Sequence, residues 1–156
     1  MKFREPFYVR ISPSGELPDI QKHATFRAVV ILDGEYDQDW QTKVSRWLVD
    51  SGCLCLMAWG PNCETWDDSV DHANLDAFDW GEIPDDKFVM TSWHENETLE
   101  DVFWFCQFCA ENPDFGLGDT LLIHVGERDR GEEFYTLFVN SRDLAEREAG
   151  GGRSIN

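Results

Sequence analysis

The sequence predicts an α/β fold: a three-layer sandwich with a mainly parallel, Rossmann-like or flavodoxin-like sheet of four to five strands. Three observations predict it. Apolar runs of strand length recur at Phe26–Leu32, Cys53–Trp59, Phe88–Trp93 and Thr120–Val125. These runs are continuous rather than alternating, as strands buried on both faces of a parallel sheet are. Segments with helical spacing of apolar residues stand between them, and such alternation is how parallel sheets with helices on both faces read.

Taken in order, Phe7, Val9 and Ile11 alternate, which suits an edge strand, and residues 12–24 read as a loop. Phe26–Leu32 ends in the turn signal Asp33-Gly34-Glu35. Asp37 or Asp39 is placed to cap a helix whose stripe is Trp40, Val44, Trp47 and Leu48. Gly52 suits its C-terminal stop. With Cys53–Trp59 this makes a βαβ unit over residues 26–59, whose crossover is expected to be right-handed. Asp67 or Asp68 is placed to cap a short helix with Val70, Ala73 and Ala77 on one side. Gly81 and Pro84 mark a loop. Thr98-Leu99-Glu100-Asp101 approximates a capping box. The helix after it, to about residue 111, carries Leu99, Val102, Phe103, Cys106 and Ala110, and also Trp104, Phe105 and Phe108. So wide an apolar surface is covered by the domain's own core or by a second subunit, which leaves a homodimer open. Residues 113–119 and 126–131 read as loops. Residues 132–148 fit a helix better than a strand. One domain over 1–148 is expected, with a flexible tail over 149–156.

A chain of 156 residues buries roughly 70% of its extended surface, enough for a core without disulfides or metal staples. No apolar run of about 18 residues occurs, so no spanning helix and no membrane partner are expected. The N-terminus lacks a continuous apolar stretch, so a cytoplasmic protein with five reduced cysteines is expected. The net charge of −18 opposes direct nucleic-acid binding, which needs clustered Lys and Arg. It favours a basic protein partner, or mimicry of nucleic-acid charge, and it also keeps a protein soluble with no partner at all.

The charge is concentrated. Between Pro61 and Asp86 stand nine carboxylates and no Lys or Arg. The candidates for chemistry gather around this segment and the strand ends, because ligands of open parallel sheets bind beyond the carboxyl ends of the strands. Asp33, Gly34 and Glu35 follow the first buried strand, Trp59 to Cys63 the second, Trp93 to Glu95 the third, and Gly126 and Glu127 the fourth. Cys63 with His94 and an acid such as Asp33 would make a covalent catalyst if the base generated the thiolate, yet surrounding carboxylates raise a thiol pKa. Asp67, Asp71 and His72 are the candidate metal ligands, without a recognised metal-binding spacing. The plainer reading is a solvated acidic helix. Cys106-x-x-Cys109 has zinc or redox spacing but lies within a helix, where both thiols suit core packing. His124 within a strand reads as a hydrogen-bonded core histidine. No GxGxxG follows a strand and no GxxxxGK[ST] or GxSxG occurs, so no cofactor is expected. Trp59, Trp66, Trp80 and Trp93 lie in or beside the acidic loops. Two or more of them exposed would make an acid-rimmed aromatic surface for Arg or Lys.

The run AWGPNCETWDDSVDHANL, then FDWGEIPDDKFVMTSWH and TLEDVFWF, resembles a family of small acidic bacterial α/β proteins with a domain of unknown function, over about residues 26–125. The resemblance implies a compact α/β domain and transfers no catalytic residue. In general character the chain is also similar to bacterial immunity proteins and antitoxins, by composition alone.

The function expected is therefore an acidic protein-binding module, an immunity protein or antitoxin neutralising a basic partner. Its contact residues would be Trp66, Asp67, Asp68, Asp71, Asp76, Asp79 and Trp80. The alternative is a small-molecule or metal-dependent enzyme with its site at the carboxyl edge of the sheet, which requires Asp33, Cys63, His72 and His94 to share one pocket.

Overall fold

A computed structural model describes residues 4–13, 15–108, 110 and 118–151. The strands are β1 (Phe7–Ile11), β2 (Phe26–Leu32), β3 (Cys53–Trp59), β4 (Met90–Trp93) and β5 (Asp119–Val125). The helices are α1 (Gln38–Ser51), α2 (Cys63–Asp76), α3 (Leu99–Phe108) and α4 (Gly131–Gly151). The strands form one sheet in the order β1-β5-β2-β3-β4, and every neighbouring pair is parallel. The fold is α/β, as the sequence predicts. Its strand order differs from the flavodoxin order, because β5 returns between β1 and β2.

The continuous apolar runs are explained by two separate cores. Ala28, Val30 and Leu32 of β2, with Leu56, Ala58, Leu121, Ile123 and Val125, face Val44 and Leu48 of α1 and Trp66 and Val70 of α2. Val29 and Ile31, with Cys55, Met57 and Leu122, face Val102 and Phe103 of α3 and Phe134 and Phe138 of α4. Neither side of the central strands is wet, so neither can be polar. Each Val, Leu, Ile, Phe or Met among them contributes roughly 1.5–3 kcal/mol by burial.

Local chemistry fixes the elements. The Asp37 carboxylate accepts the Trp40 amide at 2.9 Å and caps α1. Gly52 ends α1 with φ of 102°, a left-handed conformation glycine adopts without strain. The wide apolar surface of α3 is largely core: Phe103 packs edge-on to Phe138 of α4, with centroids 5.4 Å apart. Gln107 donates across to the Phe138 carbonyl and the Ser141 hydroxyl. Arg27, projecting from β2, donates to the Cys106 carbonyl at 2.7 Å and so ties down the end of α3.

Several expectations shift. The third strand covers Met90–Trp93 rather than Phe88–Trp93, and it is the sheet's edge rather than a buried strand; Met90 and Trp93 are exposed. α2 starts at Cys63, four residues before Asp67. Gly60 and Asn62 both take positive φ, turning the chain at once from β3 into the helix. Asp67, Asp68 and Asp71 therefore lie along the body of α2, not at its cap. α4 continues to Gly151, past the tail boundary expected at 148. Cys109 of the Cys-x-x-Cys pair, most of the 113–119 loop and residues 152–156 lie outside the described residues. Among the described residues, no helix is long and apolar enough to cross a membrane.

Candidate functional site

The sheet's carboxyl edge carries a polar network where the strand order reverses. α1 leaves β2 over one face and α4 leaves β5 over the other, so the ends of β2 and β5 form the topological switch point of the sheet. Asp33, just beyond β2, lies with Oδ2 2.8 Å from His124 Nε2. The other imidazole nitrogen lies 2.7 Å from the Tyr8 hydroxyl. With the carboxylate accepting at Nε2, Nδ1 accepts the Tyr8 proton. That hydroxyl in turn accepts the Arg130 amide at 3.0 Å. The Arg130 guanidinium reaches Asp33 Oδ1 at 3.2 Å and closes the ring of contacts. His124 is wholly buried and Asp33 is one-third exposed, so the carboxylate is where the network meets solvent. Burial is the main cause that raises the Tyr8 phenol above its ordinary value.

The second feature is a groove of about 610 Å³ between α1 and α2. Gln41, Arg46, Thr65, Asp68, His72 and Asp76 line it. Arg46 lies 4.0 Å from Asp76 across the two helices.

The third is the side of α2 turned toward β4. The Thr91 hydroxyl donates to Asp71 at 3.0 Å. Asp67 is one helical turn earlier on the same side. Carboxylate oxygens of Asp67, Asp68 and Asp71 lie within 4.8 Å of one another, close enough to hold one cation together. Asp67 Oδ1 is enclosed with no hydrogen-bond partner. Burial raises the Asp71 carboxyl above the ordinary range, and the Asp67 and Asp68 charges add to that against the Thr91 bond. Trp93 on β4 is 47% exposed and Trp80, beyond α2, is 59% exposed.

Residues 6–141 match a family model described as a domain of unknown function (DUF7684). The chain belongs to the DUF7684 family. No curated protein and no solved structure matches it. The DUF7684 region runs from just before β1 into α4, so it holds the whole sheet and all three features above. It is wider than the 26–125 stretch on which the sequence resemblance rests.

The four residues proposed for one catalytic pocket are not all brought together, although Cys63 and His94 are neighbours. Asp33 belongs to the network at the ends of β2 and β5. His94 lies beyond β4, two strands away, with Nε2 2.9 Å from Ser92 and Nδ1 3.0 Å from Glu97. Both its nitrogens are engaged by these side chains, and it is the His94 main chain that bonds the Cys63 thiol. Burial pushes the buried Cys63 thiol up, and the Glu64 and Glu95 charges push the same way. His72 stacks on Trp80, centroids 5.6 Å apart, and is not among the three clustered carboxylates. Of the expected partner-binding residues, Trp66 is the correction: it is 2% exposed and packs beside Trp40 in the core. Asp76 lines the groove, Asp68 lines it too while its carboxylate also reaches those of Asp67 and Asp71, Asp71 bonds β4, and exposed Asp79 lies beside Trp80 in the turn after α2. The Trp80 indole donates to Asp76 at 2.8 Å.

Sequence reasoning missed Tyr8 and Arg130; it read His124 as a hydrogen-bonded core histidine, which it is, but did not name its partners. The available signal was position: His124 is the penultimate residue of β5, at the ligand-binding end of a strand.

Proposed function

We propose that this chain is an acidic protein-binding module that captures a basic partner on the β4 side of α2, in the manner of an immunity protein or antitoxin in a bacterial cytoplasm. The observation that carries the reading is the crowding of Asp67, Asp68 and Asp71 within 4.8 Å, on a helix that packs against the strand bearing exposed Trp93. An Arg or Lys entering there would meet several carboxylates and an aromatic ring at once. Oxygen Oδ1 of Asp67, enclosed and without a partner, would gain the donor it lacks. Trp80 with Asp76 and Asp79 extends the surface toward the other end of α2. Electrostatic attraction would speed encounter and make association salt-sensitive.

The test replaces Asp67, Asp68 and Asp71 with Asn and follows association with a partner recovered from the source cell by pull-down. Association about tenfold slower at low salt is expected, with a smaller difference at high salt. Unchanged kinetics would remove this surface from the function.

A second reading is favoured by the Asp33–His124–Tyr8 array: a small-molecule enzyme using Asp33 as the solvent-facing acid or base, oriented by buried His124. Turnover that survives Asp33→Asn unchanged would exclude it.

A further inference from the structure

Resting on the binding-module reading, we propose that the outer edge of β4 takes up an extended segment of the partner as a sixth strand. That segment carries Arg or Lys on the side of α2 and apolar residues on the side of α3.

β4 pairs only with β3 and forms the end of the sheet. The His94 amide donates to the Ala58 carbonyl at 2.9 Å, toward β3. Backbone groups of a strand alternate in direction, so Thr91 and Trp93 turn their N–H and C=O outward. Among the described residues no hydrogen bond reaches these outward groups. Edge strands are ordinarily guarded by shortness, a charge, a proline or a bulge. Met90-Thr91-Ser92-Trp93 is short but carries no charge, proline or bulge, and it pairs in unbroken register with β3.

Register assigns the side chains. Thr91 and Trp93 sit beside Leu56 and Ala58, on the face covered by α1 and α2. Met90 and Ser92 sit beside Cys55 and Met57, on the opposite face. Trp93 lies one strand step beyond the Thr91–Asp71 bond, toward the carboxyl edge, as Asp67 lies one turn beyond Asp71 on α2. A strand added here would make its main-chain bonds to Thr91 and Trp93, and its alternate side chains would decide which sequence fits. Those on the α2 face would meet Trp93 and the carboxylates, which select a cation. Those on the opposite face would meet Met90, which is 40% exposed and selects an apolar side chain. Charge complementarity also chooses the occupant: the unbroken acidity of residues 61–86 repels a second copy of a chain at −18 and attracts a basic segment.

The probe is a short labelled peptide of alternating arginine and valine, titrated into the full chain by fluorescence anisotropy at low and moderate salt. Two further peptides carry N-methyl groups on one or the other set of alternate amides. Methylation of the set facing β4 is expected to weaken binding at least about tenfold, and methylation of the other set to leave it nearly unchanged. Amide hydrogen exchange at Thr91 and Trp93 should slow on saturation. Trp93→Ala, shown folded by circular dichroism, should also bind more weakly. Equal binding by both methylated peptides would overturn strand addition while leaving cation capture standing. Equal binding by wild type and the triple Asn variant would overturn the carboxylate surface itself. Failure of the unmethylated peptide to bind even at low salt would sink both.

Discussion

The sharpest test of the fold's polar network is Gly126→Ala. Gly126 lies just beyond β5 and its φ is outside the left-handed range, so only space decides what it tolerates. A methyl group there would overlap the Asp33 carboxylate and come within 2.7 Å of His124 Nε2. His124 is held in a central strand and cannot retreat, so the carboxylate must swing away. The His124–Asp33 bond at 2.8 Å is then lost and a wholly buried imidazole nitrogen is left without its partner. That costs about 1–3 kcal/mol. The partly exposed Asp33–Arg130 contact adds about 0–1 kcal/mol. A total of about 1–4 kcal/mol corresponds to a fall in melting temperature of roughly 2–16 °C for a domain of this size. Urea unfolding followed by tryptophan fluorescence measures the first quantity and thermal circular dichroism the second. The decisive comparison is a double-mutant cycle. In an Asp33→Ala background the carboxylate is gone, and at least half the cost of Gly126→Ala should vanish. A full, additive cost in both backgrounds would refute the assignment of Gly126 to this contact.

Three other outcomes follow from the same structure. Tyr8→Phe keeps the ring but removes the hydroxyl shared by His124 and the Arg130 amide, so it should cost about 1–3 kcal/mol; an unchanged denaturation midpoint would deny the hydroxyl a structural part. Burial pushes the Cys55 thiol up to about 11 and the Cys106 thiol up to about 12, and it raises the buried Cys53 thiol too. Iodoacetamide at neutral pH should therefore leave these three unmodified in native protein and label them after denaturation, read by peptide mass spectrometry. Asp71→Asn keeps an acceptor for Thr91 and removes a charge that the fold disfavours. Because the folded Asp71 carboxyl is raised above 3.8, its stabilising protonated form is complete below that pH and lost as pH rises through the raised value. Melting should show the variant a few tenths of a kcal/mol more stable at neutral pH, the gap closing on acidification below 3.8; a less stable variant at neutral pH contradicts the reasoning.

The sheet was legible because burial on two faces leaves no choice of residue. Phe26–Leu32 and Cys53–Trp59 match β2 and β3 to the residue, and Gly52 ends α1 where its permissive backbone is needed. β4 was misread because apolar residues alone do not tell a buried strand from an exposed edge; Met90 and Trp93 look like core until the neighbouring strand is known. The cap of α2 was misplaced for a related reason. Asp67 and Asp68 are good N-cap residues, but a positive φ at Asn62 had already started the helix. The Asp33–His124–Tyr8 array joins residues 91 and 116 positions apart, and no local spacing announces such a meeting. The acidic segment was visible, but its division was not. Helical geometry sends Asp76 to the α1 groove and Asp71 toward β4, with Asp68 bordering both, and only the packing of α2 says which is which.

Solubility alone is a poor account of that division. Charges that serve only to keep a protein in solution do best when they are spread out and hydrated. Asp67, Asp68 and Asp71 are instead within 4.8 Å of one another, where each pair repels by about 1 kcal/mol even at the dielectric constant of water. One of their oxygens is enclosed without a donor, and Asp71 resists ionisation. Such an arrangement lowers the stability of the free chain and is relieved by a cation. Removal of the three charges should accordingly make the isolated protein more stable and its capture of a basic segment weaker. A solvated acidic face would do neither.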